Sequence, residues 1–232
     1  MNRIVIITGS TRGIGLAIAQ GFLKRKDKVI VFCRHKNHLE EATEVLSKIA
    51  SPEDIFGTVC DVRISADVKR VVAETINKFG RIDILINNAG TALWKLTEEI
   101  SELEWDDVLD TNLKGPFLFT REVLPVMKRQ KAGIIINISS GLGEHGGAKY
   151  SAYSASKFGV IGLTQCVAAE TSQTGDIKVY AVLPGAVATK LHLDIHPSED
   201  PSSMMTPEYV AEKILELAEG YKITGSSVEI YS

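Results

Sequence analysis

The sequence lacks the features of disulfide-bonded and membrane-spanning proteins. It has only three cysteines in 232 residues, an odd number with no CxxC pair. We therefore expect Cys33, Cys60 and Cys166 to be reduced, buried thiols in a cytoplasmic protein. No apolar run reaches the roughly 18 residues that a bilayer crossing needs. The apolar stretch near the N-terminus is too short for a signal peptide.

The sequence also lacks an excess of charge of either sign. Its 26 Lys and Arg residues face 29 Asp and Glu residues, for a net charge of −3. This balance excludes a strongly basic nucleic-acid-binding protein and an acidic disordered tail. Apolar residues make up 44% and charged residues 24%, which is typical of a soluble globular protein. With no linker and no repeat, we expect one domain over residues 1–232 and no metal site, nucleic-acid partner or membrane contact.

Short apolar runs alternate with amphipathic stretches along the whole chain. Apolar runs predict strands at 4–8, 28–32, 55–60, 82–86, 133–138, 178–183 and 228–230, and helical spacing predicts helices at 14–23, 38–49, 66–79, 101–128, 153–171 and 207–218. Strands this apolar are buried on both faces, as in a parallel sheet. The alternation predicts right-handed βαβ units in one doubly wound α/β sheet flanked by helices. The segment at about 188–206 is predicted to be a loop that covers a substrate site.

A glycine-rich turn follows the first predicted strand. It reads Thr8-Gly9-Ser10-Thr11-Arg12-Gly13-Ile14-Gly15 and leads into a helix. Glycine lets backbone approach a ligand closely, and the positive end of a helix suits a diphosphate. The spacing G-x-x-x-G-x-G differs from the common G-x-G-x-x-G, and glycines after a strand also serve plain tight turns. The strand before and the helix after favour dinucleotide binding.

The end of the second predicted strand carries cations where an acidic residue would select NAD. The sequence there is Cys33-Arg34-His35-Lys36. Arg34 suits a bidentate contact with a 2′-phosphate, and Arg12 is a second cation nearby. We therefore expect NADP(H) to be preferred and NAD(H) to be possible; the alternative is that these are solvated surface charges. Asp61, after the third strand, is a candidate acceptor for the adenine amine or a plain turn residue.

Three residues around the fifth predicted strand and the next helix are candidates for chemistry. Tyr153 and Lys157 are four apart on a predicted helix and share a face. An ammonium beside a phenol favours phenolate, so we expect a lowered pKa for Tyr153 and a role as general acid/base. Ser140 follows a strand and is placed to hydrogen-bond a substrate oxygen. Taken alone, the Tyr–Lys spacing is better explained as an exposed helix pair, since both residue types are common.

Several of these motifs occur together and in one order across almost the whole chain. They are Thr8–Gly15, Asn87-Asn88-Ala89-Gly90, Asn112, Ser140, Tyr153-x-x-x-Lys157 and Pro184-Gly185. The combination resembles the short-chain dehydrogenase/reductase family, in its compact one-domain members. The resemblance implies a Rossmann fold with a seven-stranded parallel sheet in the order 3-2-1-4-5-6-7. It also implies hydride transfer between a nicotinamide and a carbonyl or secondary alcohol.

The resemblance assigns roles to individual residues. Tyr153 exchanges a proton with the substrate oxygen, and Ser140, chosen over Ser139 for its spacing from the tyrosine, steadies that oxygen. Lys157 binds the nicotinamide ribose and lowers the tyrosine pKa. Asn112 holds a helix open around a water that relays protons to Lys157. The implied cofactor contacts are Gly9, Ser10, Thr11, Arg12, Gly13, Ile14, Gly15, Arg34, Asp61, Val62, Asn88, Ala89, Gly90, Tyr153, Lys157, Pro184, Gly185, Val187 and Thr189.

The substrate is less well defined by the sequence. Candidate pocket residues are Trp94, Leu142, His145, Tyr150, His192, Met204 and Met205. The general resemblance is to reductases of 3-oxoacyl groups on acyl carrier protein, so we expect a small-molecule or acyl-thioester carbonyl substrate. Reduction of a sugar, a steroid or a small ketone is the alternative. Lys128, Arg129 and Lys131 are a candidate patch for that acidic carrier, or cations that favour a helix C-terminus. The resemblance also implies a homodimer or homotetramer. The alternative function is a catalytically silent NADP(H) sensor.

Overall fold

Seven parallel strands form one sheet in the computed structural model, which describes residues 2–231. The order across the sheet is β3-β2-β1-β4-β5-β6-β7. The strands are β1 (Ile4–Thr8), β2 (Lys28–Cys33), β3 (Ile55–Val59), β4 (Ile84–Asn87), β5 (Ala132–Ile138), β6 (Asp176–Pro184) and β7 (Ser227–Ile230). The predicted fold class and strand order are confirmed.

Helices cover both faces of the sheet. They are α1 (Gly13–Lys24), α2 (Lys36–Ser47), α3 (Ser65–Phe79), α4 (Glu102–Leu109), α5 (Gly115–Gln130), α6 (Ser151–Thr171), α7 (Lys190–Ile195) and α8 (Pro207–Leu217). Gly80 ends α3 in the left-handed conformation, and Pro207 opens α8 after the Thr206 cap, as expected of these residue types.

The apolar strands bury side chains in two separate cores because neighbouring residues point to opposite faces. Val5 and Ile7 of β1 belong to one core, which contains Phe22 of α1 and buried residues of α2 and α8. Ile4 and Ile6 belong to the other, which contains buried residues of α3, α5 and α6. The continuous apolar runs of the sequence therefore reflect a sheet covered on both sides.

The predicted helix over 101–128 is three segments in the structure. Leu109 ends α4, a π-helical stretch occupies Asp110–Lys114, and α5 begins at Gly115. The π-helix contains Asn112, the residue expected to hold a helix open. One wide turn hardly changes the spacing of apolar residues, so the sequence pattern predicted a single helix.

The segment at 188–206 is more ordered than the loop that the sequence predicted. It contains α7 and a short 3-10 turn at Pro201–Ser203, and Met205 pairs with Val187 in an isolated β-bridge. Met205 is buried, so its apolar side chain anchors the far end of this segment.

The expectation of three buried cysteines is wrong in part. Cys60 is buried, Cys33 is half-buried, and Cys166 is exposed on α6. Cys33 and Cys60 lie near each other, since the Cys60 amide donates to the Cys33 carbonyl over 3.0 Å. In the described part of the chain, no helix has both the length and the apolar character needed to traverse a bilayer.

Candidate active site

A large cleft runs along the carboxyl edge of the sheet, with a cavity volume of about 740 Å³. Residues that follow the ends of all seven strands line it, from Arg34 after β2 to Tyr231 after β7. In a doubly wound sheet, ligands bind outside the carboxyl ends of the strands, where the strand order reverses. Here that reversal falls between β1 and β4. All five histidines of the chain also line this cleft.

The glycine turn after β1 is built for close approach of backbone to a ligand. Gly9 has φ +63°, and an added Cβ there would lie 2.9 Å from the Ala89 Cα. Gly13 has φ +51°, so a side chain would be strained. The N-terminus of α1 has no side-chain cap and no acidic residue in its first turn. Its free N–H groups therefore suit a diphosphate, and the residues fit the expected nucleotide.

The Asn88 loop after β4 is tied to this turn by four hydrogen bonds. The Thr8 hydroxyl accepts from the Asn88 and Ala89 amides over 2.8 and 2.7 Å. The Asn88 side chain donates to the carbonyls of Thr8 and Gly9 over 2.9 and 3.1 Å. These bonds fix the two sides of the crevice relative to each other.

Two arginines and two histidines lie at the outer end of the cleft. Arg12, Arg34, His35 and His38 line it. Both arginines are exposed, and among the described residues neither has a carboxylate within 4.0 Å. Two guanidinium groups without carboxylate partners remain available for a phosphate.

Asp61 also lines the outer cleft, but its carboxylate has a partner. The Arg63 Nε donates to it over 3.0 Å, and Arg63 also bonds Asp107 of α4. Burial raises the pKa of Asp61, but the Arg63 hydrogen bonds and charge outweigh it and hold the pKa below its usual value. Asp61 is therefore ionised at neutral pH and retains further acceptor positions.

The middle of the cleft brings Ser140, Tyr153 and Lys157 together. Tyr153 and Lys157 lie one turn apart on α6, with the Lys157 Nζ 5.6 Å from the centre of the Tyr153 ring. The Lys157 Nζ donates to the carbonyl of Ile138 over 2.8 Å. The buried Ser139 hydroxyl bonds the Lys157 carbonyl instead of facing the phenol. Ser140 is thus the serine beside Tyr153.

Burial changes the pKa values of this group in a way the sequence did not predict. It raises the pKa of Tyr153, and the hydrogen bond from the Ser140 side chain acts in the opposite direction without cancelling it. Burial also lowers the pKa of Lys157 to about 8. The expected lowering of the tyrosine pKa by Lys157 is therefore wrong for this structure. Desolvation of the phenol outweighs an ammonium that is itself buried and bonded elsewhere.

Asn112 is buried behind the cleft and connects three segments. Its side chain accepts from the Thr91 amide over 2.8 Å and donates to the Thr91 carbonyl over 2.9 Å. It also donates to the Ser156 hydroxyl over 3.0 Å, and Ser156 donates to the Tyr153 carbonyl over 2.6 Å. The amide therefore links the π-helix, the loop after β4 and the first turn of α6.

Most of the predicted cofactor residues line the cleft. Ser10 and Gly15 do not. Ser10 is buried and accepts from the Phe32 amide, which joins the turn to β2. A Cβ on Gly15 would lie 2.2 Å from the Gly9 carbonyl oxygen, so this glycine permits close packing of α1 on the turn. Asn112 also lies outside the lining. The remaining predicted residues, from Gly9 to Thr189, contribute to the wall.

The inner, substrate end of the cleft differs from the prediction. Leu142, His145, Tyr150 and His192 line it as expected, but Trp94, Met204 and Met205 do not. Sequence reasoning missed Leu191, Ile195, His196 and Tyr231. Tyr231 follows β7 at the edge where Gly185 follows β6, so its position after a parallel strand was a usable signal. His196 had none, because α7 was not predicted.

The candidate basic patch does not flank the cleft. Lys128 and Arg129 end α5, and Lys131 precedes β5. Ser140 lies beyond the other end of that strand. A seven-residue strand is about 23 Å long. The patch is therefore at the amino edge of the sheet, and the cations are explained by the helix C-terminus.

Comparison with known proteins agrees with this geometry. The family model described as short chain dehydrogenase matches residues 3–200. The chain belongs to this family. It is 38% identical over 192 residues to the 3-oxoacyl-[acyl-carrier-protein] reductase FabG of Staphylococcus epidermidis, covering 82% of this chain and 78% of the relative. Membership of this family and the similarity to ketoreductases show that the chain is an oxidoreductase that acts on CH–OH and C=O groups.

Two solved structures of reductases superimpose over nearly the full length. One is a levodione reductase, with a TM-score of 0.91 at 30% identity, covering 98% of this chain and 95% of that one. The other is a variant of actinorhodin polyketide ketoreductase with NADPH, with a TM-score of 0.92 at 30% identity, covering 99% and 95%. The Rossmann architecture expected from the sequence is thus shared with these reductases.

Proposed function

We propose that this chain is an NADP(H)-dependent reductase that interconverts a carbonyl and a secondary alcohol, with Tyr153 as general acid/base. The observation that carries the proposal is one continuous cleft. Its outer end offers a glycine turn, a free helix N-terminus and two arginines that have no carboxylate within 4.0 Å among residues 2–231. Its inner end presents Ser140, Tyr153 and Lys157. One extended ligand with a reactive end beside a proton donor fits this layout.

Each residue has a distinct part in the proposed reaction. A bound nicotinamide supplies the hydride in reduction and accepts it in oxidation. The Tyr153 hydroxyl gives its proton to the substrate oxygen during reduction, and Ser140 donates a second hydrogen bond to that oxygen. The raised pKa keeps Tyr153 protonated at neutral pH, which favours the acid role. The Lys157 ammonium holds the ribose and returns a proton to Tyr153.

Asn112 acts as a positioning residue in this proposal. Its bonds to Thr91 and Ser156 hold the π-helix between the cofactor loop and α6. In the π-helix each amide bonds five residues back, which leaves a backbone carbonyl without its usual partner. We propose that this carbonyl binds a water that carries protons to Lys157.

NADP(H) is the proposed cofactor, with NAD(H) as a weaker substitute. The outer cleft contains the carboxylate of Asp61, which is bonded to Arg63, while neither Arg12 nor Arg34 has a carboxylate within 4.0 Å in the described chain. Pro184, Gly185, Val187 and Thr189 form the wall at the nicotinamide end. A Cβ on Gly13 would lie 3.4 Å from the Thr189 Cγ2, so this wall reaches the phosphate turn. The NADPH named with the actinorhodin ketoreductase supports the same choice.

For the substrate we propose a 3-oxoacyl compound, as the name of the staphylococcal relative suggests. The inner cleft has apolar walls at Leu142, Leu191 and Ile195, which suit an acyl chain. A panel of ketones and alcohols, followed by nicotinamide absorbance, tests the proposal. Turnover of 3-oxoacyl esters or thioesters with NADPH is expected. If the protein bound NADPH but turned over no carbonyl or alcohol, it would be the silent sensor instead.

We also propose that the chain forms a homodimer or homotetramer. Large apolar side chains are exposed on three adjacent helices: Leu103 and Trp105 on α4, Phe117 on α5 and Phe158 on α6. Leu103 is 83% exposed. Apolar surface on neighbouring helices is typical of an interface between identical subunits.

A further inference from the structure

His196 lies at the centre of a compact side-chain cluster at the inner end of the cleft. Its Nε2 is in hydrogen-bond contact with the Tyr150 hydroxyl. The Trp94 ring meets it edge-on with 5.6 Å between ring centres, and the His192 ring is 5.2 Å away. The Glu199 carboxylate lies 3.7 Å from its Nδ1. An imidazole with four neighbours in contact has a defined orientation.

The elements beneath the cluster hold it in place. Trp94 is covered on one face by the Lys149 ammonium, 4.0 Å from the ring centre. The Lys95 amide donates to the Lys149 carbonyl over 2.9 Å, which joins the loop after β4 to the loop before α6. The Glu199 carboxylate also bonds the His192 Nε2 over 2.9 Å. The imidazole of His196 is therefore fixed between α7 and α6.

The donor and acceptor roles in the contact between His196 and Tyr150 depend on which His196 nitrogen carries the hydrogen. At 3.7 Å, Glu199 is too far to hold a hydrogen on the His196 Nδ1 by a hydrogen bond. We assign the hydrogen to Nε2, which carries one both in this tautomer and in the imidazolium. His196 then donates to the Tyr150 oxygen, and the Tyr150 hydrogen is free to point into the cleft. Burial and the Glu199 charge raise the pKa of Tyr150, so its phenol stays a donor.

Tyr150 is close to the catalytic tyrosine. The ring centres of Tyr150 and Tyr153 are 6.0 Å apart, and both side chains line the cleft. Among the described residues that line the cleft, Asp61 at the far adenosine end is the only acidic one. The inner end thus offers two neighbouring phenol donors to a neutral acceptor, and the nearby Glu199 carboxylate is bonded to His192.

We propose that Tyr150, held by His196, donates a hydrogen bond to a second substrate oxygen placed in a 1,3-relationship to the reacting carbonyl. The pair is thereby a specificity determinant for 3-oxo esters and thioesters over simple ketones. This inference rests on the proposed carbonyl reduction. A site that pairs a substrate oxygen discriminates against an analogue without it, because the donor is then left unpaired.

The test compares two ketones of the same length. Ethyl 3-oxobutanoate carries the second carbonyl, and 2-heptanone has the same chain without it. With NADPH, wild type should favour the ester in kcat/KM by about 10-fold or more, the scale of one buried hydrogen bond. Tyr150→Phe and His196→Phe keep ring packing and should each reduce this preference at least about 5-fold, mainly through KM for the ester. Tyr221→Phe, an exposed tyrosine outside the cleft, serves as the control and should change neither substrate.

Each result separates the inference from the function on which it rests. If the Tyr150–His196 contact only holds α7 against α6, the variants should lose kcat/KM for both ketones by the same factor. That result would overturn the inference. A wild type without preference for the ester would overturn it too. If wild type reduces no carbonyl in the wider panel, the proposed function itself fails. Circular dichroism and NADPH binding confirm that each variant is folded.

Discussion

The Lys157 Nζ donates a 2.8 Å hydrogen bond to the carbonyl oxygen of Ile138, the last residue of β5. Two residues later the chain reaches Ser140, and one turn before Lys157 on α6 is Tyr153. The lysine therefore joins the end of a central strand to the helix that carries the proton donor. It is also a buried cation, only 4% exposed, with burial lowering its pKa to about 8.

The buried lysine predicts a specific dependence of stability on pH in the absence of cofactor. Its pKa lies below the ordinary value of 10.5, so between about pH 8 and 10.5 the unfolded chain binds more protons than the folded one. The lysine's contribution to the free energy of unfolding should therefore rise with pH through that window, by about 3 kcal/mol. Denaturant unfolding of wild type and Lys157→Met at pH 7 and pH 10 measures this contribution. The difference in the free energy of unfolding between the two proteins should change between the two pH values.

Lys69→Met is the matched control for this measurement, because Lys69 is an exposed lysine on α3. Its difference from wild type should stay constant between the two pH values. A constant difference for Lys157→Met as well would mean that burial does not disfavour the Lys157 charge.

Arg34 should determine the choice between the two nicotinamide cofactors. A hydrogen bond to a charged group contributes roughly 1.5–3 kcal/mol, so Arg12 and Arg34 together predict a preference for NADPH over NADH of about 10- to 1000-fold, reduced by salt. Arg34→Asp adds repulsion and should lower kcat/KM for NADPH far more than for NADH. Arg129→Asp makes the same charge change at the other edge of the sheet and should leave the ratio as it is. Equal wild-type values, or an unchanged ratio in Arg34→Asp, would show that Arg34 does not contact the phosphate.

Subunit association should depend on the exposed apolar side chains of α4, α5 and α6. Phe117→Glu places a charge on α5 at a side chain that is 45% exposed in the single chain. The variant should sediment as smaller species at micromolar concentration, because a charged carboxylate replaces apolar surface and must lose its hydration on association, even beside Arg121. Val45→Glu, at an exposed apolar position on α2, should leave the sedimentation coefficient unchanged. A wild type that is monomeric and fully active would refute the proposed assembly.

The fold was largely predictable because its signals are local and repeated. Apolar runs such as Ile4–Thr8 match a strand buried on both faces, and Gly80 and Pro207 mark helix ends through their backbone preferences. The π-helix at Asp110–Lys114 was not predictable from periodicity, since one additional residue in a turn hardly alters the apolar pattern. The family resemblance, not the pattern, pointed to Asn112.

The site was predictable where chemistry follows a strand end, and less so where it depends on tertiary contacts. Gly9, Arg34 and Ser140 come within two residues of strand ends, and all three line the cleft. The partners of Tyr150 are distant in sequence, since His196 is 46 residues away on a segment predicted as loop. The pKa of Tyr153 was mispredicted for a related reason: the Tyr–Lys spacing shows the charge but not the burial.

The central claim is that Tyr153 is the proton donor, and Tyr153→Phe tests it most directly. The variant keeps the ring and removes the hydroxyl, and general acid/base catalysis typically contributes about 10²- to 10⁴-fold. The steady-state rate of ketone reduction should fall by at least about 100-fold, while the dissociation constant for NADPH, from fluorescence titration, stays close to that of wild type. A variant that retains more than about a tenth of the wild-type rate would contradict the claim.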